Sequence, residues 1–294
     1  MRSSERAAPA LACLTPRDRA LLRVLQDLRY LTCPQAHRAC YPAMTLRSVR
    51  LRLGELRRRG LLAPLRRDAF TDRRTFWGLA PLGRMAAGVL ESIEHAGPEA
   101  GRPEPPRADA RAALQLEHLI TTNELFCELC EAGRAGRLPA AYWLAGCRSA
   151  VDLGHTSVVP DATLLIRGPR GWWTYFLERD RGTMPLHAMR DKFARYRLLI
   201  TIADAQDADP AWQTRADGWL LLACDDLRRA RQIASLAADA GLERAWTGAA
   251  DACIAGLAAS LKGLEALESN APLPAWAAGA LAIPQIGPAE EVPS

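Results

Sequence analysis

Residues 158–180 read VVPDATLLIRGPRGWWTYFLERD, and this stretch decides the fold of the second half of the chain. Two apolar runs, 158–166 and 172–180, flank a Gly/Pro cluster at 168–171. Such a cluster between apolar runs is typical of a short hairpin loop. The stretch therefore predicts two antiparallel strands that pair with each other.

The register of this hairpin brings acidic side chains together. If Arg167 and Trp172 close the loop, Asp161 lies directly opposite Glu178. Directly opposed Cβ atoms are about 4.5–5.5 Å apart and like charges there are destabilising, so we expect a cation between the two carboxylates. Alternation along the strand places Asp180 on the face of Glu178. The pattern predicts three acids on one patch, a seat for a divalent metal with Asp161 and Glu178 as ligands.

Length and composition place the chain in an ordinary class. Its 294 residues are enough for two domains. With 49% hydrophobic and 24% charged residues it has the composition of a soluble globular protein. No apolar run reaches the length of a membrane span, and the first residues do not form a signal-peptide pattern. We expect a cytoplasmic protein without a membrane partner.

Charge is divided unevenly along the chain. Residues 1–100 hold 18 Arg against 9 Asp and Glu, a net charge of +9, whereas residues 101–294 hold 20 Lys and Arg against 24 acids, a net charge of −4. Neutralising phosphates supplies most of the non-specific affinity for nucleic acid. The basic first third therefore favours a phosphate-binding module.

The first third reads as three helices, a hairpin and a further helix. Thr15-Pro16 is a helix start, a short helix follows at 34–40, and a third helix covers 45–59. Two strands are expected between Leu65 and Leu79, with a helix at 81–95 after them. The third helix carries Arg47, Arg50, Arg52, Arg57, Arg58 and Arg59 opposite an apolar face, and the hairpin tip carries Arg66, Arg67, Arg73 and Arg74.

This order resembles a winged helix-turn-helix domain, here residues 1–95. In that arrangement one helix enters the major groove of double-stranded DNA and the wing holds the phosphate backbone. We expect the arginines of the third helix and of the hairpin tip to bind DNA. The alternative is an amphipathic helix whose arginines are only solvated.

The rest of the chain divides by composition into three parts. Residues 96–110 are rich in Pro, Gly and charged residues and are predicted to be a linker. Residues 111–268 read as helix, strand, hairpin, helix, strand and helix. Residues 269–294 form a Pro/Ala-rich tail that we expect to be loosely ordered.

The second domain resembles the restriction-endonuclease-like PD-(D/E)xK fold, a mixed sheet flanked by helices, so the whole chain is expected to be an α+β or α/β protein. Pro160-Asp161 matches the first element of that signature, and residues 178–180 match the second in part. Asp180 stands where that family has lysine. Lys192 is a candidate replacement, because the chain has 36 arginines and only two lysines, and an ordinary helix-surface lysine is the alternative. Tyr196 lies one helical turn further on.

The combined pattern resembles the replication-relaxation family of plasmids and mobile elements. It rests on Pro160-Asp161, on residues 176–183 and 192–196, and on residues 117–124 with His118 and Asn123, behind an N-terminal winged helix. The resemblance covers roughly residues 15–250. It implies a DNA-binding protein of plasmid replication or mobilisation with a nuclease-like second domain.

The resemblance also implies a catalytic set and a cofactor. Asp161 and Glu178 would hold Mg²⁺ or Mn²⁺, with Asp180 and Lys192 beside them. His118 is either a further catalytic residue or a histidine hydrogen-bonded at the domain surface. The other reading of the acids is a structural salt-bridge centre.

Three functions remain open at this point. The first is a metal-dependent endonuclease that nicks or cleaves DNA, and the second is a non-catalytic DNA-binding accessory factor or transcriptional regulator. The third is a scaffold whose acidic hairpin docks a basic partner. Replication, mobilisation or transposition proteins are expected partners, and a homodimer on DNA is a further option.

Overall fold

The computed structural model describes residues 11–65, 75–94, 110–168, 171–205, 218–261, 273, 277 and 280–285. The chain divides into two compact units, Met1–Cys127 and Glu128–Ser294. Over the described residues it is a mixed α+β protein with eight α-helices and a six-stranded mixed sheet. In the part of the chain that is described, no helix is long and apolar enough to cross a membrane.

The first unit contains the expected helices and hairpin, and also a strand before the second helix that was not predicted. Its elements are α1 (Pro16–Leu28), β1 (Tyr30–Thr32), α2 (Cys33–Cys40), α3 (Leu46–Arg58), β2 (Leu62–Leu65), β3 (Phe76–Leu79), α4 (Pro81–Glu94) and the first part of α5 (Ala110–Arg134). The three strands are arranged in the order β1-β3-β2. The four tip arginines, Arg66, Arg67, Arg73 and Arg74, lie outside the described residues.

Threonine caps fix where the first three helices begin. Thr15, Thr32 and Thr45 each accept a hydrogen bond from a backbone N–H in the first turn of the following helix. Such caps satisfy N–H groups that have no partner inside the helix. The helix start predicted at Thr15-Pro16 is confirmed, and Thr45 is the cap of α3 instead of its first residue.

A buried carboxylate ties α1 to α3. Asp18 is fully buried and its Oδ1 accepts hydrogen bonds from the hydroxyl of Tyr41 and from Nε of Arg52, both at 2.9 Å. Its Oδ2 accepts from Arg52 Nη2 and from the hydroxyl of Thr15. Burial alone would raise the pKa of Asp18, but these hydrogen bonds, above all the one from Arg52, lower it to about 2.

The pairing with Asp18 changes the expected role of Arg52. Its side chain is only 23% exposed and both of its bonded nitrogens point into the unit. The spacing of arginines along α3 predicted that Arg52 lies on the DNA-facing surface. Its guanidinium group instead binds the buried carboxylate of Asp18 on α1. We therefore remove Arg52 from the set of expected DNA contacts.

The first part of α5 packs within the first unit. The Asn123 side-chain amide donates to the backbone oxygens of Leu28 and Tyr30, at 3.2 and 2.8 Å. Gln35 donates to Ile120 O at 2.9 Å and to the carboxylate of Glu124 at 2.8 Å. The boundary between the two units falls inside this helix, after Cys127. The predicted linker at 96–110 lies outside the described residues except for Ala110.

The second unit is built around the six-stranded sheet. Its elements after α5 are β4 (Ala141–Ala145), a 3-10 turn (Gly146–Ser149), β5 (Val151–Asp152), β6 (Ser157–Val158), β7 (Ala162–Gly168), β8 (Gly171–Asp180), α6 (Leu186–Ala205), β9 (Trp219–Cys224), α7 (Leu227–Asp239), β10 (Ala245–Ala249), α8 (Ala250–Ser260) and β11 (Leu281–Ala282). The strand order is β10-β9-β8-β7-β4-β11. The pairs β10–β9 and β9–β8 are parallel, and the remaining neighbours are antiparallel.

The predicted hairpin register is confirmed. Arg167 pairs with Trp172, and the ladder runs on to Ala162 opposite Leu177. The expected first strand is shorter than the apolar run 158–166, because residues 157–158 form the separate strand β6 and β7 begins at Ala162. Pro160 lies between them, and a proline has no N–H to donate to a sheet ladder.

Helix α6 packs on the sheet through one apolar stripe. Met189, Phe193, Tyr196 and Leu199 are buried, in a cluster with Phe176 and residues of β9. Leu186, at the start of the helix, is 40% exposed.

The tail is not wholly loose, contrary to expectation. Leu281 and Ala282 form β11 and pair with Trp143 and Tyr142 of β4. Ala277 and Ala280 are buried beside them, so apolar side chains hold this part of the tail on the sheet edge.

Replacing Arg52 by alanine should destabilise the protein by about 3–5 kcal/mol, because it leaves Asp18 buried without its cation. Urea unfolding of Arg52→Ala measures the change, with Arg50→Ala, an exposed arginine on the same helix, as the control. Adding Asp18→Asn to Arg52→Ala should recover part of the loss. Equal stability of the Arg52 and Arg50 variants would contradict the proposed tie.

Candidate functional site

Asp161 and Glu178 lie at the open end of the hairpin. The ladder ends with Ala162 opposite Leu177, so Asp161 and Glu178 are the next positions in register. The side chain of Asp161 turns back to the partner strand, where its Oδ2 accepts a hydrogen bond from the backbone N–H of Arg179 at 2.7 Å. The two acids are thus neighbours, as the sequence predicts.

The cation expected beside these acids is supplied by the chain itself. Lys192 on α6 donates from Nζ to Oε2 of Glu178, and the hydroxyl of Tyr196 donates to Oε1 at 2.5 Å. Glu178 is 3% exposed and Tyr196 is 1% exposed. Lys192 and Tyr196 are one helical turn apart, so a single face of α6 binds both oxygens of one buried carboxylate.

Burial has the largest effect on the pKa of Glu178, Lys192 and Tyr196. Loss of water, reinforced by the nearby charge of Asp161, raises the pKa of Glu178 to about 7 although Lys192 and Tyr196 act in the other direction. Burial disfavours the charged form of Lys192, but the carboxylates of Glu178 and Asp161 outweigh it and raise the pKa of the lysine. The pKa of the Tyr196 phenol is raised by burial and by Glu178. Above neutral pH the centre is therefore a buried ion pair.

Asp180 shares the strand face of Glu178 but has a different partner. Its Oδ2 accepts from Arg229 Nε at 2.5 Å, and its Oδ1 accepts from the backbone N–H of Gly182 at 3.1 Å. Arg229 also donates to the backbone oxygen of Met184 at 2.7 Å. The arginine of α7 therefore holds the loop between β8 and α6, close to the start of the helix that carries Lys192.

Arg179 and Cys224 complete the buried polar groups at this end of the sheet. Arg179 donates from Nη1 to the backbone oxygens of Asp180 and Ala223, at 2.8 and 3.0 Å, and pairs with Asp225 through Nη2. Burial, together with the charge of Asp180, raises the pKa of the Cys224 thiol to about 12. Two features of the sequence indicate Asp225 and Arg229: an acidic pair at 225–226 follows an apolar run, and an arginine lies in the first turn of the next helix.

The expected convergence of three acids is not found. Asp180 is paired with Arg229, and among the described residues no three His, Cys, Asp or Glu side chains are grouped so that they could hold a metal ion. Both oxygens of Glu178 are already bound by Lys192 and Tyr196. The residues as placed thus do not fit a Mg²⁺ ion held by Asp161 and Glu178, which would have to displace the lysine first.

His118 lies on α5 within the first unit, whereas the acids belong to the second. Its backbone oxygen accepts hydrogen bonds from the hydroxyls of Thr121 and Thr122, at 2.9 and 3.0 Å. Its catalytic role stays a prediction.

A second candidate surface is the arginine face of α3. Val49, Leu53 and Leu56 are fully buried on one side of this helix. The opposite side exposes Arg47, Arg50, Arg57, Arg58 and Arg59. The one acid of the helix, Glu55, is bound by Arg58 and Arg59 at 2.6 and 2.7 Å, so its charge is offset. The face is strongly cationic.

Comparison with known proteins identifies a family. A family model described as replication-relaxation matches residues 22–211, more than half of the chain. No curated protein and no solved structure matches the chain significantly.

The raised pKa of Glu178 makes stability depend on pH. Between about pH 4.5 and 7 the folded state keeps a proton that the unfolded carboxyl group releases, so the free energy of unfolding should fall as pH rises through this range. One pKa unit corresponds to about 1.4 kcal/mol, so the fall should be on the order of 3 kcal/mol.

Urea unfolding at several pH values measures this dependence. It should be lost in Glu178→Gln and kept in Glu243→Gln, which changes an exposed glutamate of the same unit. The same slope between pH 4.5 and 7 in both variants would contradict the assignment.

Proposed function

The chain belongs to the replication-relaxation family, and on this basis we propose that it is a DNA-binding protein of plasmid or mobile-element replication or mobilisation. The first unit would bind double-stranded DNA, and the second would serve as a nuclease-like accessory module. The observation that carries the proposal is the cationic face of α3, set opposite a fully buried apolar face.

The contacts of the arginines support a DNA role for part of that face. Arg47 and Arg57 are exposed and donate no side-chain hydrogen bond to any residue in the described part of the chain. Long cationic side chains without a protein acceptor are suited to phosphate oxygens, and neutralising phosphates supplies affinity that falls steeply with salt. Arg52, by contrast, is used inside the unit.

The order of elements supports a winged helix-turn-helix. Helices α1, α2 and α3 precede the antiparallel strands β2 and β3, and the segment 66–74 between these strands is where a wing would lie. In such a domain the third helix lies in the major groove and the wing contacts the backbone. The wing arginines remain expected contacts.

The second unit supports a nuclease-like origin more than a nuclease activity. Pro160-Asp161 directly precede β7, and Glu178 lies near the end of the adjacent strand β8. Lys192, which binds Glu178, would take the place of the lysine that the PD-(D/E)xK pattern has two residues after Glu178. The same contacts leave both oxygens of Glu178 occupied. We therefore favour binding without cleavage, and endonuclease activity dependent on Mg²⁺ or Mn²⁺ is the second candidate.

DNA binding should depend on salt and on the α3 arginines. The logarithm of the affinity falls linearly with the logarithm of the salt concentration, with a slope of about −0.9 for each phosphate contact. Replacing Arg47 and Arg57 together by alanine should make this negative slope shallower by about 2. Fluorescence anisotropy with a labelled random-sequence duplex at several salt concentrations measures this slope. The control is Arg228→Ala with Arg231→Ala, two exposed arginines of the second unit. Equal slopes for both double variants would remove α3 from the DNA surface.

Supercoiled plasmid with Mg²⁺ or Mn²⁺ tests the second candidate. We expect the wild type, Asp161→Asn and Glu178→Gln to leave the plasmid equally intact, because Lys192 and Tyr196 hold Glu178. Agarose electrophoresis of nicked and linear products measures the outcome, with Glu243→Gln as a further control. Metal-dependent nicking by the wild type that both site variants lose would establish an endonuclease instead.

A further inference from the structure

Leu51 and Gly54 lie on the side of α3 opposite its buried face. Leu51 is 67% exposed, the most exposed of the large apolar side chains in the described part of the chain. Gly54, three residues on, lies in the middle of the helix, and a Cβ added there would meet no described atom within 4 Å. Packing against the described residues explains neither of them.

Gly54 is the more informative of the two. Glycine in a helix interior is less favourable than alanine. A glycine is usually kept at such a position because another chain segment packs too close for a methyl group, but here the space is open. An open glycine on an exposed helix face allows the backbone of a binding partner to approach closely.

The spacing places these residues between cations. Arg47, Leu51, Gly54 and Arg58 follow one another at intervals of four, three and four residues, so they form one stripe along the helix, which we call the α3 stripe. Arg47 and Arg58 at its two ends are exposed, Arg58 with 77% of its side chain. The small apolar centre of the stripe is thus flanked by positive charge. This arrangement suits a ligand that has an apolar group between negatively charged groups.

The major groove of DNA offers that combination. Phosphates line its edges, and the C5-methyl group of thymine is the apolar group that it presents. Resting on the proposed function, we propose that the α3 stripe reads thymine: Leu51 packs on a thymine methyl group, and Gly54 lets the helix backbone approach the base edges. The arginines at the ends of the stripe contact the flanking phosphates.

The test first selects the preferred site of the full-length wild-type protein from a random duplex library. Each thymine of that site is then replaced singly by uracil, which removes only the methyl group. At one position the wild type should bind about fourfold more weakly, the effect of burying one methyl group. Leu51→Ala should bind the thymine and uracil duplexes equally, whereas Leu227→Ala, which changes a leucine 59% exposed in the second unit, should keep the difference.

Gly54→Ala supplies an independent measurement. Its melting temperature should rise by about 1–4 °C, because alanine favours the helix, while its affinity for the selected site should fall at least tenfold. Arg57→Ala is the comparison, since loss of a phosphate contact should weaken binding to all sequences alike.

The outcomes separate the two proposals. Salt-dependent binding by the wild type with no thymine-to-uracil effect, or with the effect unchanged in Leu51→Ala, overturns the thymine contact and leaves the proposed function in place. Wild-type affinity in Gly54→Ala overturns the role of the glycine. Failure of the wild type to bind duplex DNA at all overturns the proposed function as well.

Discussion

The buried carboxylate of Glu178 is the constraint around which the second unit is organised. A charged group in an apolar interior is unfavourable unless it is paired and hydrogen-bonded. Lys192 and Tyr196 meet this requirement from one face of α6, and that face also supplies Met189 and Phe193 to the core over the sheet. The position of α6 is therefore coupled to the pairing of the Glu178 carboxylate. A group that opened this pair would also disturb the packing of α6.

Each unit buries a carboxylate, but the pKa of the two carboxyl groups is shifted in opposite directions. Asp18 receives hydrogen bonds from Arg52, Tyr41 and Thr15, and these outweigh its burial, so its pKa is lowered to about 2. Glu178 has a cation and a phenol, but burial and the charge of Asp161 outweigh them, so its pKa is raised to about 7. The difference follows from the number of donors and from the second carboxylate. The first centre is a fixed structural charge, whereas the second one titrates near neutral pH.

Arginine serves two purposes in this chain, and the distinction bears on function. Arg52, Arg179 and Arg229 each bind a carboxylate inside their own unit, and they stabilise the fold. Arg47 and Arg57 are exposed on α3 and donate no side-chain hydrogen bond to a described residue, so they are available for an outside anion. The guanidinium group suits both uses, because it binds carboxylate and phosphate with the same planar set of donors.

Local patterns in the sequence determined much of this protein. The helix start at Thr15 and the hairpin closed by Arg167 and Trp172 were readable, because each depends on residues close together along the chain. The family pattern was readable as well, since it is a series of such short motifs. The partners of the charged groups were decided only by the tertiary structure. Periodicity predicted Arg52 on a DNA-facing surface, but Arg52 binds Asp18, 34 residues away. It also predicted Asp180 as a third acid beside Glu178, but Asp180 is bound by Arg229, 49 residues away. A charged side chain pairs with whichever opposite charge the fold buries next to it, and spacing along one element does not contain that information.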